Sequence, residues 1–316
     1  MEETPRTPVY LAESQFHDYA SDLWMIKEDS VIYDFSIGRL PANSESELSA
    51  AINKIITYET EIVDQYNNQI SFVYDVDPIS NFEEATMSYS ARATLFQNSF
   101  VDIDSAGSSA LIDQFSDHFL VNYMGHGSEY QLGKVHLDVS EVTSMTNEKW
   151  PILVGLNCLT TYYASPDPAD KGLGEALVLQ ENAGAIGIIA ANTLLSPIDQ
   201  STFATYFYDE MNRTAQSANQ NTRLGDVLMN THSRLLSAGL DTRQTDSILL
   251  LGDPSLRLPP TIFQGSAPLL GIGGESTSTG GCTLGQADIP WYLGLLEILC
   301  LIGLYYVFRR FTLKKI

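Results

Sequence analysis

The sequence predicts an α/β protein, a three-layer sandwich around a mainly parallel sheet, and three observations predict it. Short apolar runs recur without the polar alternation of a half-exposed strand, so they read as strands covered on both faces. Longer stretches of helical character separate them, and that alternation favours parallel pairing with helices on both sides of the sheet. At 316 residues with 44% apolar content, the chain can bury a core of that size.

The runs are "ISFVYDV" (Ile70 to Val76), "HFLVNYM" (His118 to Met124), "PILVGLNC" (Pro151 to Cys158) and "GAIGIIAA" (Gly184 to Ala191). The helical stretches are "SELSAAINKIITYETEIVDQY" (Ser46 to Tyr66), "LGEALVLQEN" (Leu173 to Asn182) and "STFATYFYDEMNRT" (Ser201 to Thr214). In such sheets functional groups gather just beyond the carboxyl ends of the strands.

The composition is acidic, with 17 Lys and Arg against 39 Asp and Glu and a net charge of −22. A body of that sign repels phosphate backbones, which argues against a nucleic-acid partner. Structural calcium would suit it, but no EF-hand loop is present.

Beyond about Pro260, "GSAPLLGIGGESTSTGGCTLGQ" (Gly265 to Gln286) is rich in Gly, Ser and Thr and reads as a tether. "WYLGLLEILCLIGLYYVF" (Trp291 to Phe308) then predicts a transmembrane helix, since its length as a helix, roughly 27 Å, approaches the thickness of a bilayer core. Four basic residues follow it, Arg309, Arg310, Lys314 and Lys315, which would keep the C-terminus cytoplasmic and the preceding domain outside. Glu297 is the one costly residue within the span. The opening "MEETPRTPVYL" carries no apolar signal segment, as expected of a sequence that lacks its true N-terminus.

Candidate chemistry stands at the ends of the apolar runs. "NYMGHGS" places His126 after one, "GLNCLTTYY" places Cys158 after the next, and "FVYDVD" places Asp75 and Asp77 after an earlier one. If those strands are neighbours, a thiol, an imidazole and a carboxylate meet at one sheet edge. Cysteine hydrolases need that set: the imidazole takes the thiol proton, the thiolate attacks a carbonyl, and a carboxylate can orient the ring. Such a nucleophile is expected to have a lowered pKa and to alkylate near pH 6. Gly125 would let the chain turn off its strand, and the Gly127 and Cys158 amides could hold an oxyanion. The competing readings are a small core cysteine and a turn histidine.

Other mechanisms lack their motifs. There is no G-x-S-x-G, H-E-x-x-H or G-x-x-x-x-G-K-[ST]. Cys158, Cys282 and Cys300 are too scattered for a disulfide framework. His17, His118 and His232 show no partner, and His136 with Asp138 is at best a weak metal pair.

Six collinear segments, "YDFSIGRLPANSESELSAAINKIITYE", "FVYDVD", "VNYMGHGSE", "LNCLTTYYASP", "LGEALVLQENAGAIGIIAANT" and "LLLGDPSLRL", resemble the gingipain family of cysteine peptidases, peptidase family C25. The resemblance implies a caspase-like fold, a peptide-bond substrate, Cys158 as nucleophile, His126 as base, and Asp75, favoured over Asp77, as the residue orienting the imidazole. No redox or nucleotide cofactor is implied, and the P1 preference does not transfer. Residues 67–262 would form the catalytic subdomain and residues 1–66 the remnant of a first subdomain. Residues 263–289 would be the linker and residues 290–316 the membrane helix with its tail. "TGGCTLGQADIPW" is similar to bacterial sorting signals, with Gly280, Gly281 and Cys282 as the site of a membrane-embedded sorting protease, against a permanent anchor. The expected protein is a surface-directed bacterial cysteine endopeptidase. The rival is an inactive surface-binding module that keeps the fold.

Overall fold

The computed structural model describes residues 11–12, 19–26, 35–107, 109–134, 137–164, 171–217, 221–240 and 245–264. All of them belong to one compact unit, Met1–Pro268; the remaining unit, Leu269–Ile316, lies outside the described residues.

Six strands form the central sheet: β1 (Gln69–Tyr74), β2 (Gln97–Asp102), β3 (Leu120–Met124), β4 (Ile152–Leu156), β5 (Gly187–Ala191) and β6 (Ile248–Leu251). Their spatial order is β6-β5-β4-β3-β1-β2. The strands from β1 to β5 pair in parallel, and β6 closes the sheet antiparallel to β5. The chain leaves β1 in one direction to form β2 and returns past it to form β3. A crevice therefore opens at the carboxyl ends of β1 and β3. Register keeps these ends level, because Tyr74 pairs with Met124 and Met124 with Leu156. The residues that follow, Asp75, Gly125 and Asn157, emerge side by side.

Both faces are covered, which is why the strand sequences are apolar without alternation. Ile70, Phe72, Leu120, Met124, Ile152, Val154 and Ile189 face one core together with Phe82 and Tyr89 of α2 (Phe82–Ser90), Phe203 and Phe207 of α5 (Pro197–Gln216), and Leu224 and Leu235 of α6 (Leu224–Ser237). Val73, Val121, Tyr123, Leu153 and Ile188 face a second core with Leu111 of α3 (Ser109–Gln114) and Leu173 and Leu177 of α4 (Leu173–Leu179). Asn122 is a buried polar residue at the centre of β3. It donates to the Tyr89 hydroxyl at 2.9 Å and accepts from the Tyr208 hydroxyl at 2.7 Å, so the polar group is satisfied where it lies.

Helix α1 (Glu45–Thr57) starts at Ser44, whose hydroxyl accepts the Glu47 N–H at 3.2 Å. On this helix Lys54 is buried, and its ammonium donates to the carbonyls of Leu177, Val178, Gln180, Ala183 and Ala185 at 2.5 to 3.4 Å. It thus neutralises the carbonyl-rich end of α4.

Two parts of the expected fold class are corrected. The sheet is mixed, since β6 runs antiparallel and β2, a polar edge strand, was not anticipated from an apolar run. The transmembrane helix is not part of the observed fold: among the described residues no helix is long and apolar enough to cross a membrane. Trp291–Phe308, with Glu297, and Gly280, Gly281 and Cys282 lie outside the described residues.

Candidate active site

The loops leaving β3 and β4 carry His126 and Cys158, and they touch. The space where a side chain on Gly127 would begin lies 2.1 Å from Asn157 Nδ2 and 2.9 Å from the Cys158 carbonyl oxygen. Gly125 is confined likewise: a Cβ there would meet the Asp75 carboxylate and the Tyr123 hydroxyl at 2.5 and 2.6 Å. Both glycines flanking His126 are therefore required by close approach of neighbouring groups, rather than by a turn needing a left-handed backbone.

Asp75 and Asp77 divide the work of holding His126. Asp75 is buried; it accepts the Tyr123 hydroxyl at 2.8 Å and the His126 main-chain N–H at 3.0 Å. Burial, and then the Asp75 charge, push the Tyr123 hydroxyl well above its ordinary pKa, so it stays a donor. Asp77 reaches the ring, with Oδ2 lying 3.0 Å from His126 Nε2. The expectation that Asp75 orients the imidazole is corrected accordingly. Asp77 also accepts the N–H groups of Ile79 and Ser80 at 2.7 and 3.0 Å. The hydrogen bond to His126, followed by those two amides, lowers the Asp77 pKa to about 2. Phe82 packs edge-on against the imidazole, with ring centroids 5.1 Å apart at 85°.

Cys158 follows Asn157, which is fully buried and donates to Thr160 Oγ1 at 2.6 Å. The next residue, Leu159, has φ +63°, an uncommon conformation for a branched side chain and the one strained point of this loop. The strain is held by hydrogen bonds to the end of β5, from Leu159 N–H to Thr193 O and from Thr161 N–H to Ala191 O, both 3.2 Å. The Cys158 thiol is half-buried and lies 3.6 Å from the Leu195 carbonyl oxygen. Burial raises its pKa. Burial thus runs against the expected low-pKa thiol, because it favours the neutral form of the sulfur. Among the described residues neither the Gly127 nor the Cys158 N–H donates a backbone hydrogen bond.

The two loops are also joined through α4. Leu173 N–H donates to Glu129 O in the His126 loop at 2.7 Å, and Gly174 N–H donates to Thr160 O in the Cys158 loop at 3.1 Å. The model of peptidase family C25 matches residues 5–259.

The chain belongs to peptidase family C25.

Among curated relatives, the C25 chain is 27% identical over 258 residues to gingipain R2 and to gingipain R1, both from Porphyromonas gingivalis. The match covers 73% of this chain, but only 34% of gingipain R2 and 25% of gingipain R1. The chain thus spans about a third of the length of gingipain R2 and a quarter of that of gingipain R1. Its fold is similar to the crystal structure of the Arg-specific cysteine proteinase gingipain R, with TM-score 0.66, 20% identity, and coverage of 77% of this chain and 60% of that one. It is similar also to a complex of gingipain pro- and mature domains from the same organism, with TM-score 0.63, 20% identity, and 77% and 62% coverage.

The other sequence candidates fall elsewhere. His118 is bonded on both ring nitrogens, to Ser99 Oγ and Gln114 O, each at 3.1 Å, so the expectation of a partnerless ring is corrected. His232 is buried against Phe203. Asp138 is spent as the N-cap of Val139–Val142, while His136 and His17 lie outside the described residues. Among the described residues no three His, Cys, Asp or Glu side chains gather as a metal would need. Tyr123 and Leu195 were missed because one lies within an apolar run and the other acts through its main chain.

Proposed function

We propose that this chain is a cysteine endopeptidase in which Cys158 and His126 form the catalytic pair. What supports the reading is one juxtaposition within a C25 chain: these two residues leave the carboxyl ends of adjacent parallel strands, and their loops meet where Gly127 packs on Asn157 and the Cys158 carbonyl. Protein or peptide is the substrate class. With Nε2 engaged by Asp77, Nδ1 is the ring nitrogen left to take the thiol proton. The thiolate attacks the scissile carbonyl carbon, and the Gly127 and Cys158 amides hold the resulting oxyanion. The C–N bond then breaks as the imidazolium returns its proton to the leaving amine. Water, activated by the neutral imidazole, hydrolyses the thioester and regenerates the thiol. The steps use side chains, main-chain amides and one water.

Burial favours the neutral form of the resting thiol, so the sulfur becomes a nucleophile only when His126 takes its proton. Turnover, rather than resting reactivity, is therefore the proper test. Unfolded casein and a mixed peptide library should be cleaved by the parent chain and spared by Cys158→Ala and His126→Ala. Equal cleavage by all three would sink the assignment. A site of action outside the cytoplasm belongs to the same reading, in keeping with the acidic body, and protease shaving of intact cells checks it.

A further inference from the structure

The loops on either side of the pair carry exposed apolar side chains that the mechanism does not use. Among the described residues the two most exposed large hydrophobics are Ile79, at 92%, and Ile198, at 76%. Single exposed apolar residues are ordinary, but these two bracket one site. Ile79 sits in the loop after β1, and its N–H bonds to Asp77, the partner of His126. Ile198 opens α5, three residues beyond Leu195, whose carbonyl faces the Cys158 thiol. Each has a second exposed apolar neighbour, Val76 at 45% and Leu194 at 41%.

Strand order fixes how they lie. Along the carboxyl edge of the sheet the loops follow β5, β4, β3 and β1, so the sequence is Ile198, Cys158, His126, Ile79. Three strand spacings separate β5 and β1, which launch the outer loops, or ~14 Å at about 4.8 Å each. An extended peptide advances about 3.3 Å per residue and returns its side chains to one face every second residue, so four residues cover ~13 Å. Carboxylates in these same loops are already engaged: Asp77 with His126, Asp75 with Tyr123, and Asp199 with the Ser196 hydroxyl at 2.6 Å.

Resting on the peptidase reading above, we propose that Ile79 with Val76 and Ile198 with Leu194 form two apolar subsites on opposite sides of the scissile bond. They would select an extended peptide that carries large hydrophobic side chains about four residues apart.

The test is cleavage-site profiling on an unbiased peptide library with the parent, Ile79→Ser and Ile198→Ser. Both substituted positions are exposed, so the variants should fold as the parent does, and iodoacetamide labelling of Cys158 should proceed as in the parent. The expected result is enrichment of Leu, Ile, Phe or Met at two positions bracketing the cut. Each variant should flatten one position only and lower kcat/KM for the best peptide about tenfold or more, chiefly through KM. Cleavage without apolar enrichment, or enrichment indifferent to both substitutions, overturns the subsites and leaves the peptidase reading standing. If no peptide is cut and a peptidyl acyloxymethyl ketone fails to label Cys158, the peptidase reading falls and the subsites fall with it.

Discussion

His126 Nε2 lies 3.0 Å from Asp77 Oδ2, while Asp75, two residues earlier, takes the His126 main-chain N–H at 3.0 Å. One carboxylate sets the ring and the other sets the backbone that carries it. The roles separate on substitution. Asp77→Asn should lower kcat by about a hundredfold or more, toward the ~10^4 loss seen for another imidazole-orienting carboxylate, and cost less stability than loss of Asp75, because the amide oxygen can still accept the Ile79 and Ser80 N–H groups. Asp75→Ala should instead lower stability by about 2 to 4 kcal/mol, since it strands the Tyr123 hydroxyl and an amide without their acceptor. Steady-state kinetics beside thermal melts distinguish the two. A melt shifted more by the Asp77 change than by the Asp75 change would reverse the assignment.

The Asp77 carboxyl should titrate near pH 2, and its midpoint should rise toward the ordinary value of 3.8 when His126 is replaced by Ala. The folded pKa is depressed, so the stabilisation is present above pH 3.8 and is lost as pH falls through about 2. Carbon NMR of the carboxyl across pH 1.5 to 6, in both proteins, measures it. An unmoved midpoint would mean that the imidazole is not the main partner.

For Cys158 the direction is opposite. Burial disfavours the thiolate, so alkylation by iodoacetamide should be slow at pH 6 and should climb with a midpoint above 9.0, the value of an unburied thiol. His126→Ala should abolish turnover yet change this alkylation profile little. A midpoint near 6 in the parent would indicate a preformed thiolate and imidazolium pair.

Gly125→Ala and Gly127→Ala each add one carbon to occupied space, at 2.5 Å from the Asp75 carboxylate and 2.1 Å from Asn157 Nδ2. Either should cost about 1 to 3 kcal/mol of stability and lower kcat/KM by at least a hundredfold through displacement of His126. Full activity in Gly127→Ala would show that the two loops do not pack as described.

Lys54 lies at the opposite end of α4 from the contacts to Glu129 and Thr160, so it anchors the helix that ties the two catalytic loops together. Lys54→Met should lower stability by about 2 to 3 kcal/mol, because five buried carbonyls lose their hydrogen-bond donor. Burial lowers the Lys54 pKa to about 7, against the pull of those carbonyls, each of which favours the ammonium. Between about pH 7 and 10.5 the unfolded chain therefore binds more protons at this group, and the parent should gain stability with rising pH where Lys54→Met does not. Denaturant melts across that range provide the comparison.

The sequence by itself determined the four apolar central strands, three of the helices that cover them (α1, α4 and α5), and the positions of His126 and Cys158 at strand ends. Buried parallel strands must be apolar on both faces, and a polar residue that ends such a run must lie at the sheet edge. It missed β2, because an edge strand needs only one covered face, and it left β6 as a motif without a direction. It also could not choose between Asp75 and Asp77. Beyond Tyr74 the strand alternation stops, and which carboxylate meets the imidazole depends on how the loop folds back through the amides of Ile79 and Ser80. Tertiary structure alone decided that the thiol turns toward Leu195 O, that each glycine beside His126 makes room for a neighbour, and that Lys54 pins α4 from a helix more than a hundred residues away in the chain. Each of those facts is a close approach between segments distant in sequence, and local patterns carry no record of such distances.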